Sequence, residues 1–252
     1  MALLKKSRAR APSPKVRQRA EEIGERLGAA IPRPHVELRF QNPWQLLIAT
    51  ILAAQSTDRM VNTVMPNLLA RWPNAEALAA APQEEVEAVV KSTGFFRNKA
   101  KAIRETSAVL VGRFGGVVPK TMPELLELPG VARKTANVVL GAAQGVVEGI
   151  VVDVHGTRVS QRLGLTKEKL PEKIEETLCA LYPRSSWLVI GHRFTLHGRY
   201  VCTARAPRCE ECPLNELCPS RENPPKGGWE ARAEQIALEM DSRAGDFRRL
   251  EP

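Results

Sequence analysis

The stretch from Leu128 to Leu140, LPGVARKTANVVL, constrains the fold of this chain more than any other. Leu128-Pro129-Gly130 cannot continue a helix: the proline disfavours the helical conformation at Leu128, and Gly130 supplies the permissive backbone of a sharp turn. A helix is predicted to begin near Val131. Ala136, Val139, Leu140 and Ala143 then recur at helical spacing, with Arg133, Lys134 and Asn137 on or beside the polar side. Upstream, Thr121 to Glu127 reads as a short capped helix leading into the turn. Helix, glycine-containing hairpin, helix is the result. The second helix presents free backbone N–H groups and the positive end of its dipole, which together make an anion site. An ordinary helical corner with a solvated lysine and arginine would carry the same bare pattern, so the remainder of the chain has to decide.

The remainder is helical in pattern. Ser13-Pro14 opens a helix expected to reach Leu27 and to be closed by Gly28, and IPRPH is a connector. Asn42-Pro43 caps PWQLLIATILAAQS, whose apolar residues run nearly all round, as in a buried central helix. Thr57 is an N-cap for the next helix, which Pro66 is expected to kink or split. Short helices are expected at 75 to 80 and 83 to 91, a longer one from Asn98 to about Arg113, and others at 171 to 181 and 186 to 200. Asp153 sits where an N-cap belongs, before a helix ending at Gly164. Cys179 reads as a buried small hydrophobe. No strand pair with hairpin chemistry and no fixed-period repeat is present, so the fold class is all-α.

The formal net charge of +9 favours a polyanionic partner. Residues 1 to 19 hold Lys5, Lys6, Arg8, Arg10, Lys15, Arg17 and Arg19 and no acid, seven of the nine net charges, which leaves +2 for the body. A nucleic-acid face on the body must therefore come from segregated charge. No apolar run reaches the ~18 residues of a membrane span, and MALLKKSRARAPSPK has no apolar signal core. The expectation is a monomeric, intracellular, cytoplasmic and nucleoid-associated protein with no membrane partner.

Cys202, Cys209, Cys212 and Cys218 follow the pattern C-x6-C-x2-C-x5-C. Such crowding suits a metal site in a reducing compartment better than a disulfide framework, with zinc and an iron–sulfur cluster as the two candidates. Zinc ribbons carry two C-x2-C knuckles where this chain has one, so a cubane is the better match. Between the first two cysteines, Arg205 and Arg208 lie on a loop pinned at both ends, an arrangement suited to phosphate contact.

Taken together, LPGVARKTANVVL, VVDVHGTRV, LAAQSTD and the cysteine pattern resemble the endonuclease III family of DNA glycosylase/AP lyases, over roughly Val36 to Pro219. The resemblance implies a two-domain helix-hairpin-helix glycosylase fold with a cleft for DNA. Its parts would be a basic arm (1–13), a first helix belonging to the cluster domain (14–35), a six-helix barrel (36–147), a [4Fe–4S] cluster domain (148–219) and a C-terminal tail (220–252). The implied substrate is double-stranded DNA carrying an oxidised pyrimidine or an abasic site.

Carried over by position, Lys134 matches the nucleophile and Asp153 the essential carboxylate. Gly130, Ala132 and Arg133 belong to the DNA-binding hairpin, and Gln55 and Phe95 match the void-filling and wedge positions. Phe95 replaces a more usual aliphatic wedge, and as one of two adjacent aromatics it also has a reading as core. Ala132 replaces a more usual glycine, which is tolerable if its φ is negative. The chemistry needs both catalytic types: an amine that can shed its proton to attack C1′, and a carboxylate beside an oxocarbenium-like transition state. The adenine glycosylase branch usually lacks the lysine and appends a large C-terminal domain, whereas 34 residues follow Cys218 here. A non-catalytic DNA-binding module would be signalled by loss of Lys134 or Asp153, and both are present.

Overall fold

The computed structural model describes residues 12–248; residues 1–11, most of the expected basic arm, lie outside the described residues. Among the described residues every regular element is a helix. The chain divides into two compact units, one His35–Glu148 and the other made of the segments before and after it.

The His35–Glu148 unit contains α2 (Pro43–Leu52), α3 (Asp58–Arg71), α4 (Ala75–Ala80), α5 (Gln83–Val90), α6 (Phe96–Phe114), α7 (Met122–Leu126) and α8 (Arg133–Gln144). Asn42 caps α2 by accepting from the Gln45 N–H, and every residue from Trp44 to Leu52 is buried, as an all-round apolar helix requires. Helices α6 and α8 pack on α2, and α4 and α5 on α6. Leu46, Leu47, Ile48, Leu52, Leu68, Leu78, Ile103 and Leu110 are fully enclosed. Each contributes about 1.5 to 3 kcal/mol by leaving water. Pro66 does not split α3. It faces solvent, while Val61, Val64, Met65 and Leu68 anchor both halves of the helix in the core.

The other unit contains α1 (Pro14–Ala30), α9 (Val154–Arg162), α10 (Pro171–Leu181), α11 (Trp187–Tyr200) and α12 (Trp229–Arg248). Ala20, Ile23 and Leu27 of α1 meet Ile174, Leu178, Ile190 and Phe194 in one core. Helix α1 runs past the expected stop at Gly28. The Arg193 guanidinium lies beside Gly28 and donates to the Ile31 carbonyl just past the helix end.

The tail differs most from expectation. Residues 229–248 form a long helix whose Ala233, Ile236 and Met240 join Ala30, Ile31, Leu196 and Val201 in a second core, so this unit does not end near Pro219.

Candidate nucleic-acid interface and cluster site

The hairpin is built from its backbone outward. Thr121 caps α7, and the Val131 N–H closes a turn onto the Leu128 carbonyl at 3.1 Å. Gly130 has φ +75°, and a Cβ there would sit 3.0 Å from the Ala102 Cβ, so both its conformation and its packing exclude a side chain. The buried Thr106 hydroxyl donates to the Pro129 carbonyl at 2.6 Å and ties the turn to α6. Ala132, the N-cap of α8, has φ −95° and is extended, which meets the condition an alanine imposes at that position. It offers no side-chain cap to the first turn of α8, where Arg133 is half-buried and Lys134 exposed.

Gln55 and Phe95 share a property the sequence did not reveal. They are the two non-glycine residues with positive φ among the described residues, at +53° and +46°. Each such conformation costs on the order of 1 to 3 kcal/mol and persists only where its surroundings enforce it. Both side chains are exposed, and Phe95 retains 66% of its surface, which disposes of its reading as core.

Asp153 is the N-cap of α9. Its Oδ1 accepts from the His155 and Gly156 N–H groups at 2.9 and 2.8 Å. The cap and the carboxylate roles are therefore compatible, because both bonds use Oδ1 and leave Oδ2 for a ligand. Helix α9 is held close against α11, where a Cβ on Gly198 would come within 2.8 Å of the His155 Cβ.

The loop from Cys202 to Cys218 has little regular structure, and arginines satisfy its carbonyls. Arg158 donates to Cys202 O at 2.9 Å, Arg162 to Thr203 O at 2.7 Å and Ala204 O at 3.0 Å, and Arg232 to Cys212 O at 3.0 Å. Arg26 reaches Pro213 O at 3.2 Å and Arg19 Leu217 O at 2.8 Å. The four cysteines line one cavity. Burial, with the neighbouring cysteines, pushes the Cys212 thiol up to about 12, and Cys218 is raised for the same reasons. Thiolates here need a bound positive charge, which iron provides.

The two loop arginines part company. Arg205 is exposed and has no partner among the described residues. Arg208 is held by both oxygens of Glu239 at 2.8 and 2.9 Å and by Glu211 at 2.6 Å, and these carboxylates raise its pKa. The expected phosphate contact at Arg208 therefore competes with carboxylates, one of them on a tail helix that was not anticipated. Sequence reasoning also passed over Lys99, Thr106, Arg158, Arg162 and Arg232. Their spacing gives no sign of the carbonyls they reach.

Residues 48–184 match the model for the HhH-GPD superfamily of base excision DNA repair proteins, and residues 202–218 match the iron–sulfur binding domain of endonuclease III. The chain is 52% identical over 204 residues to the endonuclease III of Synechocystis sp., covering 81% of this chain and 93% of that protein. It is 41% identical over 204 residues to that of Escherichia coli, covering 80% and 95%. A solved non-covalent endonuclease III–DNA complex superposes with a TM-score of 0.79 at 40% identity, covering 82% of this chain and 96% of the other. A trapped endonuclease III–DNA covalent intermediate gives the same TM-score and identity, covering 82% and 97%.

Proposed function

The chain belongs to the endonuclease III family of base excision DNA repair proteins, bifunctional DNA glycosylase/AP lyases with a [4Fe–4S] cluster, and from that premise we propose which of its residues perform each part of the activity. The substrate is duplex DNA bearing an oxidised pyrimidine or an abasic site, bound by a monomer in the cytoplasm. The hairpin N–H groups of α8 hold a phosphate, with Gly130 and Ala132 allowing the close approach and Arg133 and Arg205 adding charge. Phe95 enters the stack and Gln55 fills the space left by the everted nucleotide.

Neutral Lys134 Nζ then attacks C1′, the glycosidic bond breaks, and the base leaves with its electron pair and takes up a proton. The Asp153 carboxylate stabilises the positive charge that develops on the sugar. Loss of a proton from nitrogen and opening of the sugar give an imine, which acidifies the C2′ proton. Removal of that proton expels the 3′ phosphate by β-elimination, and water hydrolyses the imine to free Lys134. Cys202, Cys209, Cys212 and Cys218 are the cluster ligands, and the bound cluster supplies a cross-link among the four sulfurs.

The observation that carries the catalytic assignment is the position of Lys134, exposed and second in a helix whose N-terminus lacks a side-chain cap, directly after the hairpin. The test is incubation with a duplex carrying thymine glycol, with and without borohydride. The wild type should release the base and form a trapped complex. Lys134→Gln should abolish trapping yet keep damage-specific binding, because the amide preserves volume and the backbone anion site. A trapped complex with Lys134→Gln would assign the nucleophile to another amine.

A further inference from the structure

The turn that presents Phe95 carries two unfavourable residues in succession. Gly94 has φ +70° and ψ 157°, a region essentially confined to glycine, and Phe95 has φ +46° and ψ 31°. The phenyl ring is exposed, so no packing of its own keeps the backbone in place. Something else must, because a left-handed phenylalanine released from its surroundings would relax to an ordinary conformation and carry the ring away from its bearing.

The hydrogen bonds of the turn show where the restraint lies. On the upstream side the Gly94 N–H reaches Lys91 O at 3.4 Å, a long bond, and the Thr93 hydroxyl satisfies Val90 O at 2.8 Å. On the downstream side the Lys99 N–H donates to Phe95 O at 3.1 Å, as the first bond of α6. One side chain spans the two sides. Lys99 is 6% exposed, and its Nζ runs back from the first turn of α6 to donate to the Thr93 carbonyl at 2.7 Å. That carbonyl belongs to the peptide entering Gly94 and is an orphan at the end of the 3-10 turn Lys91–Thr93, where a cation also meets the negative end of the preceding helical segment.

A buried ammonium is an expensive way to fill space. Desolvation pushes its pKa below the ordinary lysine value, so the folded protein bears a cost that a methionine of similar length would avoid. Packing alone therefore does not account for a lysine here, whereas a charge-assisted bond to the one carbonyl that fixes the Thr93–Gly94 peptide does. Helix α6 also receives the hairpin through Thr106 and Ala102, so the wedge turn and the hairpin are both referred to one rigid element of their unit.

We propose that Lys99 is a positioning residue for base eversion, pinning the Thr93 carbonyl so that Phe95 is held in its left-handed conformation with its ring directed at the base stack. The proposal rests on the wedge reading of Phe95. Its test uses the full-length, cluster-loaded protein as wild type, Phe95→Ala, Lys99→Met and the double variant, on a thymine glycol duplex with 2-aminopurine opposite the lesion. Eversion is read from the rise in 2-aminopurine fluorescence on binding, and excision from single-turnover rates. A single-stranded oligonucleotide with an abasic site, which has no duplex stack to enter, reports folding and imine chemistry.

Phe95→Ala and Lys99→Met should each lower duplex excision by about tenfold and diminish the fluorescence rise, and the double variant should be no worse than Phe95→Ala, as for residues acting through one another. Lys99→Met should retain cleavage of the single-stranded abasic site. Lys99→Arg, which keeps a charged donor, should recover part of the fluorescence rise. Lys99→Gln, too short to reach Thr93, carries the same expectation as Lys99→Met should the latter fail to fold.

A full fluorescence rise and wild-type duplex excision in Lys99→Met beside a defective Phe95→Ala would overturn the role of Lys99 and leave the wedge reading standing. Losses that multiply in the double variant would overturn it equally. A Phe95→Ala variant with no defect on duplex would remove the wedge reading and this proposal with it. Loss of single-strand cleavage in both Lys99→Met and Lys99→Gln would assign Lys99 to folding and overturn the proposal.

Discussion

The two units keep their functional backbone in place by a different balance of packing and side-chain bonds. In the His35–Glu148 unit, the hairpin and the turns at Gln55 and Phe95 are short departures from buried helices, so apolar packing, joined at Phe95 by the single Lys99 bond to the Thr93 carbonyl, holds conformations that would be unfavourable in isolation. In the other unit, the segment from Cys202 to Cys218 has few buried apolar residues, and arginine side chains take the place of secondary structure by occupying its carbonyls. Strain can be stored where a dense core surrounds it. A polar loop stores little, and it depends on cross-links that can be removed singly. Substitutions should therefore behave differently in the two places.

The largest expected effect lies in the cluster loop. Cys202→Ala removes one sulfur from a segment whose remaining restraints are side-chain bonds to carbonyls, each worth about 1.5 to 3 kcal/mol when charged. Loss of iron should release the loop and unfold much of its unit, lowering the thermal midpoint by many degrees and bleaching the visible absorption, because metal binding is folding free energy in such segments. Retention of the midpoint after loss of iron would show that the arginines suffice without the cluster.

The strained turns should respond with the opposite sign. Phe95→Gly removes an exposed side chain from a left-handed position. Relief of about 1 to 2 kcal/mol of strain outweighs about 0.5 to 1 kcal/mol of added chain entropy in the unfolded state. The variant should thus be slightly more stable, by about 0.5 to 1 kcal/mol in denaturant unfolding, while excising damage from duplex less well. A variant that is less stable would mean that the ring packs in solution and that Phe95 carries no strain.

What could be read from the sequence follows the same division. Helix caps are local chemistry, so Asn42, Thr57, Thr121 and Asp153 could each be placed from a few neighbouring residues, and all four are N-caps in the structure. The hairpin was legible because Pro129 and Gly130 state its geometry directly. Pro66 does not split its helix and Gly28 does not end its own, because tertiary packing overrides a local breaker. The positive φ of Gln55 and Phe95 could not be foreseen, since neither residue type favours it. Long-range bonds such as Lys99 to Thr93 and Arg208 to Glu239 leave no mark in spacing. Helix α12 did leave one, in Ala233, Ile236 and Met240, but its mixed charge made the segment read as a tail.

The smallest effect concerns that helix and the arginine it holds. Glu211 and Glu239 offset the charge of Arg208, so the site as folded attracts a phosphate less than Arg208 alone would. Glu239→Gln removes one of these two negative charges and should cost little stability, because both partners are partly exposed. The hydrogen bond from Arg208 keeps the Glu239 carboxyl below its ordinary pKa. Its contribution is therefore full above the ordinary glutamate range and is lost as pH falls through the lowered folded value; the variant should lack that acid-side loss. If Arg208 then reaches a phosphate, DNA affinity should rise equally for damaged and undamaged duplex, and the log–log salt dependence should steepen by about 0.9. Arg205→Ala, which removes an exposed arginine, should flatten it by about the same amount. A salt dependence unchanged in Glu239→Gln but flattened in Arg205→Ala would leave Arg208 as part of the scaffold that joins α12 to the cluster loop, with Arg205 as the contact to DNA.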